Sequence, residues 1–159
     1  MITADDLSKA FARNLGVIKA QTEGLTHADT LVQSHGGNCL NWLLGHIAVH
    51  RDKILHTMGQ PLVSADLNDR YNRGSAPVRE DDEDIVPLGT LIERLEQGQE
   101  RIASALSRLG EAGLDAEWDP EDRKSTIGKR VFFLYFHETY HVGQTELMRQ
   151  LAGKHDHII

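Results

Sequence analysis

The sequence predicts an all-α protein, a four-helix bundle formed by one domain over residues 1–159. Three observations carry this. Four segments repeat apolar residues at steps of three and four, the spacing of a single helical face. No segment shows the strict alternation of a half-buried strand. A hydrophobic share of 40% with 26% charged residues over 159 positions suits one globular core. Four helices with one apolar stripe each bury those stripes most economically against one another.

The first helix is expected over residues 4–22. Leu7, Phe11, Leu15 and Ile18 form its stripe, Asp5 and Asp6 favour its N-terminal dipole, and Gly24 ends it. A connection over 25–37 closes on Gly36-Gly37, and Asn38 is a suitable N-cap for a second helix over 39–58. Leu40, Leu43, Leu44, Ile47, Ile54 and Met58 make its apolar arc, which Trp42 and Val49 widen. His46 and His50 fall inside that arc, whereas Asn41, Asp52 and His56 are expected to face away.

Residues 59–86 form a connection long enough to join two parallel helices. A loop of that length within a compact domain is often functional. It carries Arg70, Tyr71 and Arg73, which can cover a site or hold an anionic substrate, although a solvated surface loop is the simpler account of them. The acidic run Glu80–Asp84 reads as solvated. Pro87 opens a third helix that should end near Gly110, with Leu88, Leu91, Ile92, Leu95, Ile102, Leu106 and Leu109 in the core. Glu96, Glu100 and Arg101 mark its wet face. A second polar connection over 111–125, with Gly113 and Pro120, leads into a fourth helix over 127–151.

Charge and composition narrow the partners. A net charge of -7 argues against a basic nucleic-acid surface. No run of about 18 apolar residues suits a membrane span. The opening residues lack the basic and apolar regions of a secretion signal. The single Cys39 forms no internal disulfide and fits a reducing cytoplasm. A cytoplasmic protein acting on a small molecule is expected, with neither nucleic acid nor membrane as partner.

On the fourth helix Leu134, His137, His141, Gln144, Met148 and Leu151 share one face. Its ends are apolar, so it is expected to point into the core, yet its middle is polar. His137 and His141 lie one turn apart and can aim at one partner, for which a divalent metal is the natural candidate. His46 stands midway along the second helix, as that pair stands midway along the fourth. Were the two helices neighbours, three imidazoles would meet at one depth and leave coordination open to water, the pattern of a catalytic rather than a structural ion. His50, one turn on, is either a further ligand or a packed histidine. Gln144 can fix a ligand or touch substrate, or simply bond between helices. Glu138 lies about 100° round the helix from His137. It is either a base near the metal or a flanking carboxylate. Cys39 is two turns, about 10 Å, from His46 and reads as a packed thiol. Trp42 reads as wall or core, and the tail residues His155 and His157 take no role.

His137-Glu138-Thr139-Tyr140-His141 also matches the H-E-x-x-H of zinc peptidases, in which two histidines hold zinc and the glutamate is the base. The continuation is missing. Gly143 follows His141 by two residues rather than three, only 18 residues remain, and Glu146 is too close to be the remote ligand.

Asn38-Cys-Leu-Asn-Trp42-Leu-Leu-Gly45-His46-Ile47, followed much later by His137-Glu-Thr-Tyr-His141-Val-Gly143-Gln144, resembles the DinB and YfiT-like superfamily of bacterial proteins. Its W-x-x-x-H and H-x-x-x-H-x-G-Q patterns stand intact, and the resemblance covers most of the chain. It implies an up-down-down-up bundle with a long connection between helices two and three. It also implies a metal site of His46, His137 and His141, zinc or nickel as the ion, and a homodimer. Members include transferases and isomerases that use low-molecular-weight thiols, and proteins described as hydrolases without a known substrate; the founding member is induced by DNA damage. Two classes follow. One is a metalloenzyme, either hydrolase or thiol transferase. The other is a non-enzymatic, metal-stabilised binding module or stress-associated protein, whose site a fourth ligand such as His50 would close. Ligating histidines must be neutral, so metal affinity is expected to weaken below about pH 6.5.

Overall fold

Thr3 starts the first helix with a reciprocal cap. Its hydroxyl accepts from the Asp6 amide at 3.0 Å, and the Asp6 carboxylate accepts from the Thr3 amide at 3.1 Å. A computed structural model describes residues 2–118, 125–156 and 158, and within these the chain is helical. The helices are α1 (Ala4–Thr22), α2 (Leu40–Thr57), the single turn α3 (Asn68–Tyr71), α4 (Leu88–Leu114) and α5 (Ile127–Leu151). The only bridge of strand type among the described residues joins Glu117 to Thr126. Among the described residues no helix is long and apolar enough to cross a membrane. Pro120 and His157 lie outside the described residues.

Cross-helix contacts fix the directions. His46 meets His141 and His50 meets His137, so α2 and α5 are antiparallel neighbours. The Ala4 amide donates to Glu111, and Lys19 pairs with Glu96, so α1 and α4 are antiparallel. Asn14 reaches Glu138 and Arg149 reaches the Gln21 carbonyl, so α1 and α5 are parallel. Asn41 reaches Val86, just before α4, and Arg51 reaches Leu95 further along it, so α2 and α4 are parallel. The chain between α2 and α4 must therefore return along the bundle, which explains its length.

The core divides in two along the bundle axis. One half gathers Ile18, Leu40, Leu44, Ile47, Leu91 and Leu95; the other gathers Leu7, Phe11, Ile54, Leu55, Ile102 and Leu134. Polar residues separate the halves, and the histidines belong to that layer.

Several sequence expectations need correction. The second helix begins at Leu40 behind Cys39, which makes no side-chain cap, rather than behind Asn38. The third breaks at Gly110 as expected, where φ is a left-handed 57°, but a further helical stretch beyond that kink runs to Leu114. Asn41 and Asp52 do not face away, because the crossover folds over their side of α2. The Asn41 amide donates to the Val86 carbonyl at 2.8 Å, and Asp52 accepts from the Val63 and Ser64 amides at 2.7 and 2.8 Å. Every residue of α2 from Leu40 to Asp52 is consequently buried. On α5 the buried row is Val131, Leu134, Glu138, Val142, Thr145 and Arg149. The row of His137, His141, Gln144 and Met148 is half-buried at its border, and Leu151 is exposed.

Candidate metal centre

The antiparallel packing of α2 against α5 brings His46, His137 and His141 together. One ring nitrogen from each lies within 4.8 Å of the other two. The Nε2 atoms of His137 and His141 are 3.3 Å apart. Two nitrogens bound at about 2.0–2.1 Å in tetrahedral geometry are separated by about 3.3 Å, so this spacing fits one ion between them.

The surroundings determine which nitrogens converge. His46 Nδ1–H donates to the Tyr71 carbonyl at 2.8 Å, leaving Nε2 as a lone pair. His141 Nδ1–H donates to Gln144 Oε1 at 2.8 Å, with the same result. Carbonyl partners on the far nitrogen orient metal-binding histidines in this way. Trp42 stacks on the His46 ring at 4.6 Å and 13° and anchors its own Nε1–H on the Ser75 hydroxyl at 2.9 Å. Tyr71 is itself held: its ring lies where a Cβ on Gly45 would stand, and its hydroxyl donates to Asn41 and accepts from the Val86 amide. Gly45 is required by that close approach.

Burial disfavours the charged imidazolium throughout the cluster. It pushes His46 and His137 down to about 4, in both cases aided by the charge of neighbouring histidines. His141 is also lowered by burial, against an opposing contribution from Gln144. All three are neutral donors at neutral pH. Burial therefore lowers the pH at which protons compete for these nitrogens relative to an ordinary imidazole.

A family model described as the DinB superfamily matches residues 10–145. The chain belongs to the DinB superfamily. No curated protein matches it at a significant level. In this DinB-superfamily chain, three histidines from two facing helices form a cluster able to hold a metal ion.

The other residues singled out by sequence fall into distinct places. His50 is stacked on His137, with centroids 3.9 Å apart, but is not one of the three convergent donors. Its Nε2 accepts from the Lys53 ammonium at 3.2 Å, and burial pushes its pKa down to about 2. Gln144 holds His141. Glu138 is not placed as a base. It is fully buried, and both its oxygens accept from Arg51, at 3.0 and 2.8 Å. Tyr71 is not a substrate-facing loop residue, since it has no exposed surface and acts through its carbonyl. Arg70 pairs with Asp84 and donates to the Ala76 carbonyl, and Arg73 is exposed. Cys39 is a buried free thiol.

Sequence reasoning missed Arg51, Asn14 and Lys53. A signal existed for the first. Glu138 interrupts an apolar row of α5, and Arg51 stands between Val49 and Ile54 on α2; opposite charges on two buried rows point to a pair.

Proposed function

We propose that the protein is a metal-dependent enzyme in which the Nε2 atoms of His46, His137 and His141 hold zinc or nickel. It transforms a small molecule in the cytoplasm, by hydrolysis or by transfer to a low-molecular-weight thiol. The carrying observation is the convergence of three neutral imidazoles, two of them locked by Tyr71 and Gln144 with their lone pairs inward. An ion held there supplies Lewis acidity, which activates water or a thiol for attack. Trp42 covers one side of the cluster, and His50 and Lys53 flank another. The position of His50 supports an enzyme over a closed binding module, because its Nε2 is taken by Lys53 and three protein donors leave the coordination open. Engagement of Glu138 by Arg51 weighs against the peptidase alternative.

The outer face of α5 supports a homodimer. Phe132, Phe133, Phe136, Tyr140 and Leu147 stand exposed along it, and a row of large apolar side chains in water is an interaction surface. A second copy presenting the same row covers it isologously.

One preparation tests both statements. Protein purified without a histidine tag should carry about one divalent ion per chain, lose it when His46, His137 and His141 are all replaced by Ala, and sediment as a dimer. A metal-free parent chain overturns the metal reading, and a monomer overturns the pairing. With cobalt bound, a spectral change on adding a bacterial thiol selects the transferase, and turnover of an ester or amide panel without that change selects the hydrolase.

A further inference from the structure

A cavity of about 430 Å³ lies beside the histidine cluster, bounded by the second half of α2, the crossover and the start of α5. Its size is that of a small-molecule site. Val49, Leu62 and Trp118 supply apolar wall, and Lys53 and Arg130 supply positive charge. The two cations lack anionic partners among the described residues. Lys53 donates only to neutral groups, His50 Nε2 at 3.2 Å and Asn72 Oδ1 at 3.0 Å. Arg130 lies over the Trp118 and Phe133 rings, 4.9 and 5.5 Å from their centroids, and its Nε is buried without a partner. Among the described residues the one carboxylate in the wall, Asp52, is occupied by the Val63 and Ser64 amides. Burial, and after it the charge of Arg130, holds the Lys53 ammonium below its usual pKa. An anion between the two would relieve that repulsion. The cavity connects with the cluster through contact: Lys53 bonds His50, and His50 stacks on His137.

We propose that this cavity binds the carboxylate end of the substrate. Lys53 and Arg130 clamp the anion, and Trp118, Leu62 and Val49 hold an apolar body. The substrate class is then a small organic acid whose reacting group lies beyond its carboxylate, towards His137. This extends the metalloenzyme reading by naming what the enzyme takes.

The test is calorimetric titration of the metal-loaded protein with 4-phenylbutyrate, its neutral amide and inorganic phosphate, with metal content measured on the same samples. The acid should bind at least about tenfold more tightly than the amide, the scale of one charge-assisted pair. It should also bind more tightly than phosphate, which cannot use the apolar walls. Arg130→Gln and Lys53→Gln should each remove the preference for acid over amide while leaving metal content unchanged, and Arg130→Lys should keep part of it. Thermal melts identify any variant that fails to fold, and the acid–amide comparison in the parent chain needs no variant. Equal binding of acid and amide overturns the proposal, as does phosphate binding as well as the acid, or retention of the preference by folded Arg130→Gln. A protein that takes up no metal yet still prefers the acid leaves this site standing and overturns only the metal reading.

Discussion

Arg51 and Glu138 follow His50 and His137 by one residue, so two polar groups are set side by side in the same layer of the bundle. They are finished differently. The Arg51 guanidinium donates twice to Glu138, once to the Leu95 carbonyl at 2.6 Å and once to the Phe11 carbonyl at 3.4 Å, while Asn14 donates to Glu138 at 3.3 Å. These contacts draw on α1, α2, α4 and α5, and each charge meets its opposite. Beside them the Nε2 atoms of His137 and His141 face each other at 3.3 Å, and the Nδ1 atoms of His50 and His137 have no partner among the described residues. The first group closes on itself and fixes the relative position of the helices. The second stays incomplete without something from outside. Buried polarity thus has two meanings in one layer, and the donor and acceptor inventory separates them.

The largest way to break this comparison is Glu138→Ala. It strands a buried guanidinium, and loss of one partner of such a pair costs about 3–5 kcal/mol. Denaturant unfolding should show that loss, and Arg51→Met combined with Glu138→Leu should recover most of it. If Glu138→Ala unfolds like the parent, the pair is not what aligns the helices.

Gln144→Leu addresses the other group. It removes the acceptor that holds the His141 ring, and such supporting contacts are worth about 10–100-fold in metal affinity. Competition with a chromogenic chelator should read that drop, with metal-free stability nearly unchanged. An unchanged affinity would mean that packing alone orients His141.

The smallest effect is a slope with pH. In the folded, metal-free protein His46 and His137 titrate near 4, against the ordinary 6.5 when unfolded. Between those values the unfolded chain binds more protons, so stability is complete above about pH 6.5 and falls as pH drops towards 4. Metal affinity should begin to fall below, rather than at, the ordinary imidazole pKa of about 6.5. Unfolding midpoints and metal content measured from pH 7 to 4 check both statements.

The helices were legible because apolar spacing, the glycines and Pro87 mark them without tertiary information, and the three histidines because a turn of helix aligns two of them. Gly110 was rightly read as a break, but sequence does not reveal that a further helical stretch starts beyond it. The phase of α5 was misjudged for a related reason: Phe132, Phe133, Phe136 and Tyr140 make its outer side as apolar as its inner one, so no single row stands out. Asn41, Asp52 and Tyr71 were open to water in the sequence reading because the contacts that bury them join α2 to the crossover across 11 to 45 residues of sequence. Polar side chains whose satisfaction is that remote carry no local sign of burial.

The parallel course of α2 and α4 has a consequence for how such a protein diversifies. A chain leaving α2, 18 residues long, must travel back about 27 Å to enter α4. On the way it contributes Leu62, Ser64, Ala65 and Asn68 to one wall of the cavity. Insertions or replacements there would reshape what is admitted without disturbing helix packing, whereas the ion's donors sit on the rigid rods. Acquisition of new substrates and retention of the old chemistry are thereby assigned to separate stretches of the polypeptide, free to change at different rates.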